Sequence, residues 1–278
     1  METAFSLLYV SKDFPEIYAK GAGRRRKAGT RTEIEDFLRL TFGVLTEIGL
    51  KAPVENLYSS LTRHLESSDT VVTLNYDTVL DTALMRSGWP PGKGYCVIGG
   101  RNKLSGSIAN AGACERLSGV KLLKLHGSLN WFVRGSDAEL AHVFESKPNQ
   151  IVIGETRRRE RTGLIRQIIP PIYGKFFKHS HWQTLWEHAY EAILKAEAIV
   201  IIGCSLVDTD FHLTGMLGHA IGARSRLGHD FSYEILVDNT KTRRKWHRLL
   251  GRSVRTRVDF ANFAKFVSAL NRNREEGM

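Results

Sequence analysis

Four short polar clusters each follow a stretch that reads as a β-strand, and their side chains suit the binding of sugars and phosphates or the movement of protons. Asn75-Tyr76-Asp77 comes first, offering an amide that both donates and accepts and, at Asp77, a carboxylate. His126-Gly127-Ser128 comes second; a histidine at a strand end, with a glycine after it, can reach into a cleft and exchange a proton near neutral pH. Gly203-Cys204-Ser205-Leu206 comes third, with Asp208 and Asp210 close behind. Gly203 lets a ligand approach the backbone, Ser205 can donate to a phosphate or ribose oxygen, and the start of the following helix favours anions. Asp238-Asn239 comes fourth, a carboxylate and an amide suited to ribose hydroxyls. Each cluster also has a plainer explanation: helix caps at Asn75, Asp77 and Asn239, a packed histidine at 126, a glycine turn at 203. What joins them is position, because ligands of open α/β sheets bind outside the carboxyl ends of the strands.

The elements that must position these residues are legible in the pattern. Thr70 to Leu74 and Val120 to Leu125 read as buried strands, as do Ala198 to Ile202, which is wholly apolar, and Tyr233 to Val237. The run at 198–202 is expected to be covered on both faces, as parallel strands are. Helices are expected at Thr32 to Glu47, Thr78 to Met85, Trp182 to Ala196, Phe211 to Ile221, Lys241 to Leu250 and Asn262 to Leu270, with a last edge strand at Val254 to Val258. Residues 90–119, rich in Gly, Ser and Asn, and the charged stretch 132–169 read as two insertions. Strands alternating with helices predict a single α/β domain over residues 1–278: a Rossmann-like, doubly wound parallel sheet with helical and loop insertions.

Composition narrows the classes. Hydrophobic residues at 42% and charged residues at 25% describe a globular chain. The longest apolar run, Ala198 to Leu206, is broken by Gly203 and Ser205 and is far short of the roughly 20 residues of a membrane span. The start of the chain lacks the marks of a secretory signal, and three scattered cysteines, Cys96, Cys114 and Cys204, suit a reducing compartment, so a cytoplasmic location is expected. No CxxC pair is present, so no zinc ribbon is expected. The net charge of +11, with basic runs at 24–27, 157–159 and 243–245, fits either solvated surface or attraction to nucleic acid.

Val72-Thr-Leu-Asn-Tyr-Asp77, Lys124-Leu-His-Gly-Ser128 and Ile201-Ile-Gly-Cys-Ser-Leu206 resemble, in order and spacing, the three signatures of the sirtuin-like NAD-binding family. Pro170-Pro171 and the Trp182 helix are similar to its bacterial branch, many members of which degrade NAD+ in antiphage defence. The resemblance covers roughly residues 65 to 240 and implies roles for individual residues. Asn75 would contact the nicotinamide ribose and position the attacking water, Asp77 would lie beside the carboxamide, and His126 would be the general base. Gly203 and Ser205, followed by Asp208, would hold the cofactor ribose and phosphates, and Asn239, beside Asp238, the adenosine ribose. The implied activity is NAD+ glycohydrolysis, with NAD+ as substrate.

Two departures shape the expectation. Deacetylating sirtuins carry a four-cysteine zinc module that this chain cannot build, which favours hydrolysis and a zinc-free protein. Gly21-Ala22-Gly23 does not follow a clear apolar strand, so the chain is expected to lack the family's first strand and its pyrophosphate loop. A nucleotide sensor without turnover and a basic nucleic-acid-associated protein are the alternatives. The expected partners are NAD+, a protein or phage-derived trigger, nucleic acid through the basic runs, and further copies in an oligomer.

Overall fold

Two parallel strand pairs carry the strand ends singled out above. The architecture comes from a computed structural model that describes residues 57–100, 103–134, 151–154, 164–169, 180–207, 210–227, 232–237, 239–251 and 263–276. Helix α1 (Leu57–Thr62) leads to β1 (Thr70–Thr73), and α2 (Val79–Arg86) follows. Strand β1 pairs in parallel with β4 (Lys121–Lys124), Thr70 opposite Lys121 and Thr73 opposite Lys124. The second pair is β8 (Ala198–Ile202) with β9 (Ser232–Leu236), also parallel, Ala198 opposite Ser232. Between β8 and β9 the chain crosses over through α6 (Phe211–Leu227), since parallel neighbours need a long connection. Helix α7 (Thr240–Leu250) follows β9, and α8 (Phe263–Glu276) packs its Phe266 and Val267 against Leu236 and the α1 residues Leu57 and Leu61. The chain is therefore α/β of Rossmann-like type.

The segments read as separate insertions meet in one sheet. Strands β2 (Val97–Gly99) and β3 (Ser105–Ile108) come from the first, and β6 (Ile151–Ile153) and β7 (Leu164–Ile168) from the second, with β5 (Gly127–Arg134) running into it. They form a five-stranded antiparallel sheet in the order β2-β3-β6-β5-β7. The turn-rich composition of 90–119 hides short strands, because a pairing partner more than forty residues away supplies the ladder that local propensity does not. Two short helices, α3 (Pro91–Gly94) and α4 (Ala111–Glu115), flank β2 and β3. Tyr95 stacks edge-on between Trp89 and Trp131, with centroids 4.9 and 5.2 Å away, and Trp89 Nε1 donates to the Val120 carbonyl at 2.8 Å.

Helix α5 (Ser180–Lys195) is the hub. Trp182, Leu185, Trp186, Ala189 and Ile193 recur at three- and four-residue steps and are all buried. They share one apolar cluster with Leu122 and Leu123 of β4, Ile201 of β8, and Tyr233 and Ile235 of β9. Strand β8 departs from expectation: Val200 and Ile202 are 43% and 40% exposed. Among the described residues β8 has a single strand neighbour, β9, so an apolar run alone does not secure cover on both faces.

Several expected features lie outside the described residues: the helix at 32–47, Gly21-Ala22-Gly23, the basic runs at 24–27 and 157–159, Pro170-Pro171, the edge strand at 254–258, and the side chains of Asp208 and Asp238. Among the described residues no helix is long and apolar enough to cross a membrane.

Candidate active site

The carboxyl ends of the four parallel strands carry the residues expected there. Asn75 and Asp77 lie just past β1, His126 just past β4, Gly203 to Leu206 just past β8, and Asn239 just past β9.

His126 stands where the chain leaves the parallel pair for the antiparallel sheet. Its carbonyl accepts from the Ile169 amide at 2.8 Å, which pins the turn to the end of β7. Gly127 has φ +81, and a Cβ there would lie 2.2 Å from the Gln167 carbonyl oxygen, so the step from β4 into β5 requires glycine. The imidazole is buried between two rings, Tyr76 and Trp186, each with its centroid 6.3 Å away. Tyr76 is itself held, its hydroxyl donating to the Ile169 carbonyl at 2.5 Å. Nε2 of His126 lies 3.1 Å from Oδ2 of Asp210, and both side chains are almost wholly out of solvent. In the neutral form of the ring, Nε2–H donating to this carboxylate puts the lone pair on Nδ1.

Asp210 is placed by the loop that joins β8 to α6. The loop begins at Gly203, whose φ is +64 and whose amide donates to the Leu236 carbonyl at 3.0 Å. Among the described residues no atom lies within 4 Å of where a Cβ of residue 203 would stand, so on their side the backbone faces open space. Ser205 beside it is exposed. Leu206 adopts φ +48, unusual for a branched side chain, and its carbonyl accepts from Lys245 Nζ at 3.1 Å. Trp246 Nε1 donates to the Cys204 carbonyl at 2.8 Å, so α7 grips the loop twice. Burial pushes the Cys204 thiol above its ordinary pKa, and the nearby Asp210 carboxylate adds to this. Arg243 bonds the Val237 carbonyl at 3.1 Å; with Lys245, two of the three cations of the 243–245 run tie α7 to strand ends.

Two expected ligand contacts also hold local backbone, Asp77 in the turn before a helix and Asn239 as a helix cap. Asp77 Oδ1 accepts from the Val79 amide at 3.1 Å, at the start of α2. Asn239 Oδ1 accepts from the amides of Lys241 and Thr242 at 2.8 and 3.2 Å, and so caps α7. Asn75 is exposed, and its backbone N–H donates to the Thr73 hydroxyl at 3.1 Å.

Behind the Asn75–Asp77 loop sits a charged group that motif reading passed over. Lys124, on the last turn of β4, is fully buried and pairs with Asp81 of α2 at 3.1 Å. Its ammonium also donates to the Asp77 carbonyl, and the Tyr95 hydroxyl donates to Asp81. Asn130 Nδ2 reaches the Tyr95 oxygen at 3.1 Å. Burial, then the Asp81 charge, holds the Tyr95 phenol well above its usual range. Lys124 thus ties β4 to the loop that carries Asn75 and Asp77. The lysine of Lys-Leu-His-Gly-Ser was the available signal, but a buried lysine cannot be told from an exposed one by spacing.

The pairing of a buried histidine with a carboxylate, at the mouth of strands whose loops offer amides and hydroxyls, suits general-base chemistry on a polar ligand. Searched against curated proteins, the chain has no match. A family model described as a SIR2-like domain matches residues 69–249, which spans β1 through α7 and every strand end described here, and the chain belongs to that family.

Proposed function

We propose that this chain hydrolyses NAD+ at the nicotinamide–ribose bond and releases nicotinamide. The observation that carries the reading is the buried His126–Asp210 pair, 3.1 Å apart, at the carboxyl end of β4. SIR2-like domains are typically NAD-dependent enzymes, which supplies the substrate class.

The chemistry follows from the bond. Its cleavage develops oxocarbenium character on the ribose, and nicotinamide departs neutral, so no strong acid is needed. What the protein must do is orient a water and take its proton. In this reading Nδ1 of His126 accepts that proton, Asp210 holds the ring and stabilises the imidazolium, and Asn75 places the water. Asp77 sits beside the carboxamide. The open side of Gly203 and the Ser205 hydroxyl, with Asp208, take ribose and phosphate. Asn239 keeps its amide N–H groups for the adenosine ribose while its oxygen caps α7; Asp238 stands beside it. The resemblance to the bacterial branch sets the reaction in antiphage defence, in an oligomer answering a protein or phage-derived trigger.

A nucleotide sensor without turnover is the second reading. The turn bond to Asp77 Oδ1 and the cap made by Asn239 Oδ1 favour it, because those oxygens are already engaged.

The test is nicotinamide release from NAD+ by the full chain, measured beside NAD+ binding by calorimetry. Release that His126→Ala abolishes while binding survives supports hydrolysis. Binding without release supports the sensor, and absence of both overturns the NAD+ reading.

A further inference from the structure

Cys96, Cys114 and His188 come from three different places in the chain and converge on one point. Cys96 follows α3, Cys114 lies on α4, and His188 lies on α5. One ligand atom from each, the two sulfurs and a ring nitrogen, all lie within 4.8 Å of one another, and all three residues are buried. The two cysteines are bonded to each other in this structure, with Cα atoms 5.2 Å apart. That bond leaves His188 unexplained. The ring is 6% exposed, and among the described residues neither Nδ1 nor Nε2 has a partner in hydrogen-bonding geometry. A disulfide sulfur is at best a weak acceptor, and a buried polar group without a partner costs about 1–3 kcal/mol.

We propose that, with Cys96 and Cys114 reduced, these three side chains form a binding site for a zinc ion. Zinc bonds of roughly 2.0–2.3 Å put tetrahedral ligand atoms about 3.5–3.8 Å apart, so the two sulfurs, once reduced, must move apart to that spacing, while all three ligand atoms already lie within 4.8 Å of one another. Two thiolates and a neutral imidazole around a divalent ion carry no net charge, which suits a buried site, and three protein ligands leave the fourth tetrahedral position to a water. The same count leaves a monovalent ion with one uncompensated negative charge.

The site is not a version of the four-cysteine module. It uses two cysteines that precede His126 and a histidine far downstream, and it reverses the expectation of a zinc-free chain drawn from the lack of a CxxC pair. Its effect would be to fasten the segment bearing β2, β3 and α4 onto α5, the helix that sets Trp186 against His126. The inference does not depend on NAD+ hydrolysis.

The full chain, purified under reductant without chelator, is analysed for metal and for reactive thiols in the native and unfolded states. About one zinc per chain, lost in Cys114→Ser and His188→Ala, is the expected result. Should those variants fail to fold, cobalt(II) substitution of the parent decides: thiolate-to-cobalt charge-transfer absorption supports the site. A folded, reduced parent that binds neither zinc nor cobalt overturns it. So does an unfolded chain that yields only one thiol despite the reductant, since the sulfurs then remain a disulfide.

Discussion

Nε2 of His126 sits 3.1 Å from Oδ2 of Asp210, and this contact joins the end of β4 to the start of α6. The pair orients the imidazole, and each member is tested separately. His126→Ala is expected to lower nicotinamide release about 10²–10⁴-fold, the usual cost of losing a general base. NAD+ affinity should stay near that of the parent, because the interaction strengthens only in the transition state. Asp210→Asn should lower turnover with the same pattern, and imidazole nitrogen NMR should show the tautomer balance of His126 changed. A normal melt with parental release from either variant would remove that residue from the mechanism.

The buried Lys124–Asp81 pair makes a prediction about stability. Asp81→Ala strands an ammonium in a fully buried position and is expected to cost about 3–5 kcal/mol. Adding Lys124→Met should recover much of that loss, because the uncompensated charge is gone. Denaturant midpoints of the parent, the single and the double variants measure it. Equal stability of Asp81→Ala and parent would mean that the pair is open to water.

Gly203 predicts a split between stability and binding. Its φ of +64 makes Gly203→Ala cost about 1–2 kcal/mol through backbone strain alone. Among the described residues no atom lies within 4 Å of the new methyl, so a larger effect is expected from a ligand in that space. Calorimetry should show NAD+ affinity lost in a chain that is still folded. Unchanged affinity would place the ligand elsewhere.

Tyr233 predicts an alkaline limit. Burial pushes its phenol up to about 12 from the ordinary value of 10.0, with Arg224 pulling the other way. The unfolded phenol ionises first as pH rises, so the folded chain then holds more protons and stability falls with pH. The contribution is present below pH 10 and is lost progressively towards about 12. Tyr233→Phe should lose less stability than the parent between these limits, as read from denaturant midpoints at each pH. Parallel curves would count against it.

Much of the scaffold was legible because it rests on short-range pattern. The apolar faces of residues 182–193 and the strand at 198–202 announce themselves by period and composition, and both stand where expected. The four strand ends were legible for the same reason. Asp210 was visible beside Asp208, but nothing local marks which aspartate meets a histidine in another part of the chain.

What the sequence determined by itself was the α/β class, the positions of the four strand ends, and the three motifs that mark the family. Each of these is written in neighbouring residues, through side-chain period, turn chemistry and strand propensity. Only the tertiary structure decided that residues 90–119 and 132–169 share a sheet, that Asp210 holds His126, and that Cys96, Cys114 and His188 meet. Such contacts are made across long loops, whose closure entropy grows only slowly with length. Spacing therefore carries almost no information about them, and packing around α5 settles which distant side chains come to lie together.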